Sequence, residues 1–142
     1  MTTNAIYPVS MSADPSRTAA FYRELLGLEP TFTSEWYVSL AAPGGAPQFA
    51  TVLRHHDSVP ARFRRAPAGS LVTAEVDSAD LVRARASAMH APIELEIRDE
   101  AWGQRHFITR DPDGLLVDVV EPIAPSPDFA AQYLDADQPS AP

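Results

Sequence analysis

The sequence predicts an α+β fold made of two tandem βαβββ modules, and three observations carry that expectation. The order strand, helix, three strands is written twice along 142 residues. The two helix starts superpose at a shift of roughly 64 residues, a single duplication rather than a solenoid, which needs at least about three units. A segment rich in Arg, Pro and Ala, from Asp57 to Gly69, has no stable period and separates the halves. At this length surface scaling allows about two thirds of the unfolded chain's surface to be buried, enough for a real core. Gly and Pro together make 20 of the 142 residues, below the roughly 25–30% of a disordered composition.

In the first module, Ile6 to Ser12 alternates as a strand, with Tyr7, Val9 and Met11 on one face. Pro8 lacks an amide donor, which suits an edge or a strand start. Asp14 before Pro15 marks a helix start: the carboxylate accepts from free first-turn amides, and proline fits the first helical position. Ala19, Tyr22 and Leu26, with Leu25 beside them, give that helix its apolar stripe, and Gly27 ends it. Glu29 to Thr33, Trp36 to Ala41 and Gln48 to about His55 read as strands, the last two joined through Pro43, Gly44 and Gly45.

The second module repeats the pattern. Ser70 to Val76 alternates, with Leu71, Thr73 and Glu75 on one side and Val72, Ala74 and Val76 on the other. Asp77 and Asp80 open the next helix, Leu81, Ala84 and Ala88 form its expected buried stripe, and Pro92 stops it. Ile93 to Ile97, Arg105 to Thr109 and Leu115 to Glu121 read as strands, with Asp111-Pro112-Asp113-Gly114 as a tight turn between the last two. Beyond Pro122 a short helix is expected from Asp128 to Leu134, then a frayed end from Gln138 to Pro142.

Composition removes several function classes. Without cysteine there is no disulfide framework, thiolate zinc site or Cys nucleophile, so any metal must be held by His, Asp, Glu or water. No apolar run approaches the roughly 18 residues of a membrane span, and Met1 to Asn4 lacks a basic, then apolar, leader. A soluble, cytoplasmic protein is the expectation. A net charge of −8 opposes nucleic acid and anionic lipid, leaving cationic or neutral small molecules as the easier partners. Arg54, Arg62, Arg64 and Arg65 crowd the middle of the chain, where they read as a solvated linker. No Ser-His-Asp order or phosphate-cradling glycine loop is present.

Three stretches, in this order, carry a family resemblance: Ala20-Phe21-Tyr22-Arg23-Glu24-Leu25-Leu26-Gly27-Leu28, Ala74-Glu75-Val76-Asp77, and Asp111-Pro112-Asp113-Gly114-Leu115-Leu116-Val117-Asp118. With the repeat order they cover Ile6 to Pro122. The chain resembles the vicinal oxygen chelate superfamily, which includes glyoxalase I, bleomycin-resistance proteins and extradiol dioxygenases. The resemblance implies a single domain over residues 1–142, with module 1 at 5–56, linker 57–69, module 2 at 70–122 and a tail at 123–142. It also implies a concave, curved mixed sheet with helices outside, and association into a homodimer; an uncovered sheet edge gives the same expectation physically.

In metal-dependent relatives, ligands on the first, fourth, fifth and eighth strands converge on a divalent ion. Carried over by position, the first falls on Tyr7, the third on Leu71 and the last on Asp118, with Gln48 the fourth-strand candidate. A catalytic ion wants about three good protein ligands. Leu71 cannot ligate, and a neutral phenol such as that of Tyr7 is a poor ligand. No metal cofactor is therefore expected.

The histidines do not rescue a site by spacing. His55 and His56 are adjacent and point to opposite faces of a strand. His90 sits near a helix end, where charge suits the dipole. His106 lies mid-strand beside Trp102, Gln104 and Phe107, and reads either as a hydrogen-bonded structural imidazole or as a ligand contact. Phe32 and Phe107 read as core, whereas Trp36, Tyr37 and Trp102 offer stacking area with a polar handle. Glu75 and Asp118 share the concave face on this parity. They either attract a cation or an amine, serve as an acid and base, or pair with Arg98, Arg105 or Arg110.

The expectation is thus a metal-free small-molecule-binding protein of the glyoxalase and bleomycin-resistance type. It would take a planar or cationic ligand on Tyr7, Trp36, Tyr37, Glu75, Trp102, Gln104, His106 and Asp118. The alternative is a metal-dependent lyase, isomerase or dioxygenase with a rearranged site using Asp118, Gln48 or His106. A metal-free enzyme built on Glu75 and His106 stays open beside both.

Overall fold

The structure, a computed structural model, describes residues 1–134; the expected frayed end from Gln138 to Pro142 lies outside the described residues. Its elements are β1 (Val9–Ser12), α1 (Pro15–Leu26), β2 (Glu29–Thr33), β3 (Tyr37–Ala41), β4 (Phe49–Leu53), a 3-10 turn (Ala61–Phe63), β5 (Leu71–Glu75), α2 (Ala79–Ala88), β6 (Ile93–Glu100), β7 (Gln104–Arg110), β8 (Leu116–Pro122) and α3 (Pro127–Ala130). The α+β class and the duplicated βαβββ order are as expected, and each repeat carries its own four-stranded mixed sheet. The strand orders are β1-β4-β3-β2 and β5-β8-β7-β6, with one parallel pair in each, β1 with β4 and β5 with β8. The chain divides into two compact units, Met1–Ser70 with Asp111–Leu115, and Leu71–Arg110 with the chain from Leu116 onward. Among the described residues no helix is long and apolar enough to cross a membrane.

In the first unit β1 starts only at Val9, because Pro8 has no amide to pair; the Pro8 carbonyl still accepts from the Ala50 amide at 3.0 Å. Asp14 caps α1 by accepting from the Arg17 amide at 3.3 Å, and Gly27 closes it at φ 70°, a conformation that costs glycine little. The buried face is Pro15, Thr18, Ala19, Tyr22 and Leu25. Leu25 is fully buried and Leu26 only half, reversing the expected order, because the step of three from Tyr22 lands on Leu25. The Tyr22 ring lies 4.5 Å from that of Phe49, above Val38 and Leu40 in the core. The expected linker is not structureless: Val59 is buried, and its carbonyl accepts from Arg64 Nε at 2.8 Å.

The Asp111–Leu115 segment, read from sequence as a turn alone, is a core element of the first unit. Asp111 Oδ1 accepts from the amides of Asp113 (2.8 Å) and Leu115 (3.1 Å), and Oδ2 accepts from the Tyr22 hydroxyl (2.8 Å). Asp113 accepts from the Ala13 amide (2.8 Å), Thr18 Oγ1 (2.5 Å) and Arg54 Nη2 (3.3 Å). Burial raises the Asp111 carboxyl pKa above the ordinary range, partly offset by the Tyr22 hydroxyl and the two amides. Burial and then the Asp111 charge push the Tyr22 phenol far up, so it stays a donor.

In the second unit α2 is capped by Ser78, whose Oγ accepts from the Leu81 amide at 3.3 Å. The expected stripe of Leu81, Ala84 and Ala88 is incorrect: the buried residues are Ala79, Val82 and Ala86, and Leu81 is 68% exposed. The helix lies rotated so that Arg83 reaches Glu96 at 2.7 Å and Asp80 reaches Arg105 at 2.9 Å, placing Val82 against the sheet. It ends at Ala88, before Pro92, through His90 in a left-handed conformation (φ 57°). Phe107, Val117 and Val119 are fully buried, so Phe107 is core as expected. Phe32, expected in the core, is 53% exposed on edge strand β2, every residue of which is exposed.

Tyr22→Phe tests the buried pair. It leaves Asp111 Oδ2 without its donor and is expected to cost about 1–3 kcal/mol by urea denaturation at pH 7. The lost hydrogen bond had favoured the carboxylate, so the Asp111 pKa rises further. A raised folded pKa gives stability that is complete below the unfolded pKa and falls as pH rises through the folded one. The variant's deficit should therefore be smaller at pH 4 than at pH 7.

Candidate functional site

Strand alternation sorts the second unit's functional side chains. Thr73 pairs with Asp118 and Glu75 with Val120 across β5 and β8, while His106 pairs with Val120 and Ile108 with Asp118 across β7 and β8. Residues opposite one another share a face, so Glu75, Asp118, His106 and Gln104 all stand on the side turned away from α2, whose side holds Phe107, Val117 and Val119.

On that face His106 Nδ1 lies 2.7 Å from Asp118 Oδ1, a short bond in which the carboxylate accepts and the ring nitrogen carries the hydrogen. The side chains of His106 and Asp118 are 7% and 14% exposed. The other ring nitrogen, Nε2, is buried without a hydrogen bond, with Glu100 Oε2 at 3.4 Å. Glu100 is itself held by Arg98 at 2.9 Å. The three arginines offered as partners for Glu75 or Asp118 are engaged with other carboxylates. Arg98 takes Glu100, Arg105 takes Asp80 and Asp99, and Arg110 takes Glu94. The sequence signal for the true partner was present but weak: with β7 and β8 antiparallel about the Asp111–Gly114 turn, His106 and Asp118 fall two residues apart on one face.

Trp102 is 38% exposed on the turn before β7, and its indole Nε1 donates to Gln104 Oε1 at 2.9 Å. Its ring stands edge-on to His106 at 6.3 Å and to Phe129 at 6.3 Å. Trp102, Gln104, His106 and Asp118 are thus linked in space, and sequence reasoning missed Phe129 and Glu100 beside them. Glu75 is exposed and lines an open recess of about 280 Å³ with Val76, Asp77, Glu121 and Pro122.

In the first unit Tyr37 lies between Phe32 (6.1 Å) and Trp36 (5.6 Å). Burial, then Tyr7 through charge and a hydrogen bond, raise the Tyr37 phenol pKa. Trp36 is not a bare platform: the His56 ring stacks on it at 3.8 Å and 7°.

The positions matched to metal ligands do not make a donor set. Leu71 is aliphatic, Gln48 Oε1 accepts from the Ala42 amide at 2.9 Å, the Tyr7 phenol is bonded to Tyr37, and Asp118 is taken by His106. Among the described residues no group of three or more His, Asp or Glu is arranged to hold an ion. The residues do not fit a divalent metal.

A family model for the Glyoxalase/Bleomycin resistance protein/Dioxygenase superfamily matches residues 7–119. Among solved structures, the chain is similar to a protein of unknown function from Agrobacterium tumefaciens str. C58, at 25% identity and TM-score 0.72 over 87% of this chain and 97% of that one. It is also similar to a lactoylglutathione lyase from Agrobacterium tumefaciens, at 22% identity and TM-score 0.63 over 85% and 96%. TioX from Micromonospora sp. ML1 aligns at 18% identity and TM-score 0.63 over 83% and 95%. No curated protein matches in sequence.

A double-mutant cycle tests the His106–Asp118 pair. His106→Leu alone strands a nearly buried carboxylate and is expected to cost about 3 kcal/mol. His106→Leu with Asp118→Leu should recover more than about 1 kcal/mol of that loss, read as coupling in urea titrations.

Proposed function

The chain belongs to the Glyoxalase/Bleomycin resistance protein/Dioxygenase superfamily, and on that premise we propose that it binds a planar, cationic small molecule without a metal. The observation that carries this reading is the Asp118 carboxylate, fixed by His106 through one oxygen, with the partly exposed Trp102 ring edge-on to that same imidazole. A fixed carboxylate attracts a protonated amine, and an indole face adds stacking and cation–π attraction. Glu75 supplies a second negative group on the same sheet face. Tyr7, Trp36 and Tyr37 of the first unit offer aromatic surface for the same class of ligand. Against the metal-dependent lyase, isomerase or dioxygenase alternative stands the donor set it would use: Gln48 accepts from the backbone at Ala42, His106 and Asp118 are bonded to each other, and no group of three or more such ligands is gathered among the described residues.

The proposal includes a homodimer and a cytoplasmic location. Strand β2 is an edge of its sheet among the described residues and exposes all its residues, which favours covering by a second copy. Sedimentation at micromolar concentration should give a dimer; a monomer alone contradicts this part.

Native mass spectrometry of protein purified without chelator is the direct test of the metal-free reading. No stoichiometric metal is expected, and proflavine, a planar acridine cation, should change tryptophan fluorescence saturably with or without EDTA. Asp118→Asn removes the charge while keeping the shape and should weaken proflavine about tenfold, roughly 1.4 kcal/mol. Tightly bound stoichiometric metal, or turnover that appears with Zn²⁺, Ni²⁺, Fe²⁺ or Mn²⁺ and vanishes with chelator, overturns the reading.

A further inference from the structure

Resting on that binding role, we propose that the segment from Ile123 to Tyr133 is a strap that forms one wall of the Trp102 site and is tightened by the ligand. The sequence shows why the segment depends on its neighbours. Pro122, Pro125 and Pro127 remove amide donors, and the four residues of α3 are too few to hold a helix alone. It is fastened instead to the turn before β7. The Ile123 amide donates to the Gly103 carbonyl at 2.9 Å, the Ser126 amide to the Ala101 carbonyl at 2.8 Å, and the Tyr133 hydroxyl to the Trp102 carbonyl.

Gly103 makes this close approach available. It is buried at φ 110°, and a Cβ there would lie 2.9 Å from the Ile123 carbonyl oxygen and 3.3 Å from Pro125. All three fastenings end on Ala101–Gly103, the residues that carry the Trp102 ring, and Phe129 of the strap meets that ring edge-on. Trp102 thus makes edge contacts with both His106 and Phe129. A planar ligand stacked on the Trp102 ring and touching Phe129 meets both rings only while the strap is fastened. Its contact with Phe129 favours the fastened strap over the loose one, which is differential affinity for one of two states.

Hydrogen exchange on the full chain, with and without saturating proflavine, reads the strap directly. Proflavine should slow exchange of the Ile123 and Ser126 amides by about tenfold. Gly103→Ala should speed both, and Phe129→Ala, which leaves the sheet core intact, should weaken proflavine several-fold and shift the emission of Trp102 in a Trp36→Phe background. If proflavine binds with exchange at Ile123 and Ser126 unchanged, or Phe129→Ala binds as the parent does, the strap is no part of the site while the binding role stands. If proflavine does not bind the parent chain at all, the binding role fails and the strap inference falls with it.

Discussion

Strict alternation along β7 and β8 is the constraint on which the second unit depends. Because neighbouring side chains leave a strand on opposite faces, the register that buries Phe107 and Val119 under α2 also sends His106 and Asp118 to the other side. A slip of one residue would exchange the core for the polar face, so the hydrophobic demand of Phe107, Val117 and Val119 fixes the register of the candidate site as well. The His106–Asp118 bond is a by-product of correct packing. It then holds a carboxylate in one orientation where a flexible surface residue would roam.

The chain keeps the architecture of its superfamily and has a different chemistry at the positions matched to metal ligands. Leu71 and Tyr7 stand at two of them, and Gln48 is spent on the backbone at Ala42. The remaining carboxylate faces an imidazole. Coordination needs several donors converging on one point, which a single carboxylate bonded to a histidine does not provide. Arginines that would have cancelled that charge are committed elsewhere along the edge strand β6 and to α2.

The Asp111-Pro112-Asp113-Gly114 run shows how a short motif does two jobs. Gly114 at φ 93° satisfies the turn geometry. The two carboxylates collect donors from Tyr22, Thr18, Ala13 and Arg54 inside the first unit. Burying Asp111 is costly, and the hydroxyl of Tyr22 with two amides offsets much of that cost. The turn was legible from its residue types, whereas its partners lie 59 to 100 residues away in the chain, beyond any local pattern.

By itself the sequence determined what depends on local chemistry and period. The duplicated βαβββ order, the Asp14–Pro15 helix start, the Gly27 stop, the edge position of the Pro8 strand and the core role of Phe107 all follow from caps, φ restrictions and alternation. Tertiary structure alone decided which helical face is buried when apolar residues are sparse. The α2 stripe moved from Leu81 to Val82 because Arg83 and Asp80 had partners on the sheet. It also decided which of several nearby arginines and histidines meets a given carboxylate, and that Trp36 is covered by His56 and Trp102 bordered by Phe129. Those outcomes depend on distances between residues far apart in sequence, where period and propensity carry no information and packing and charge pairing do.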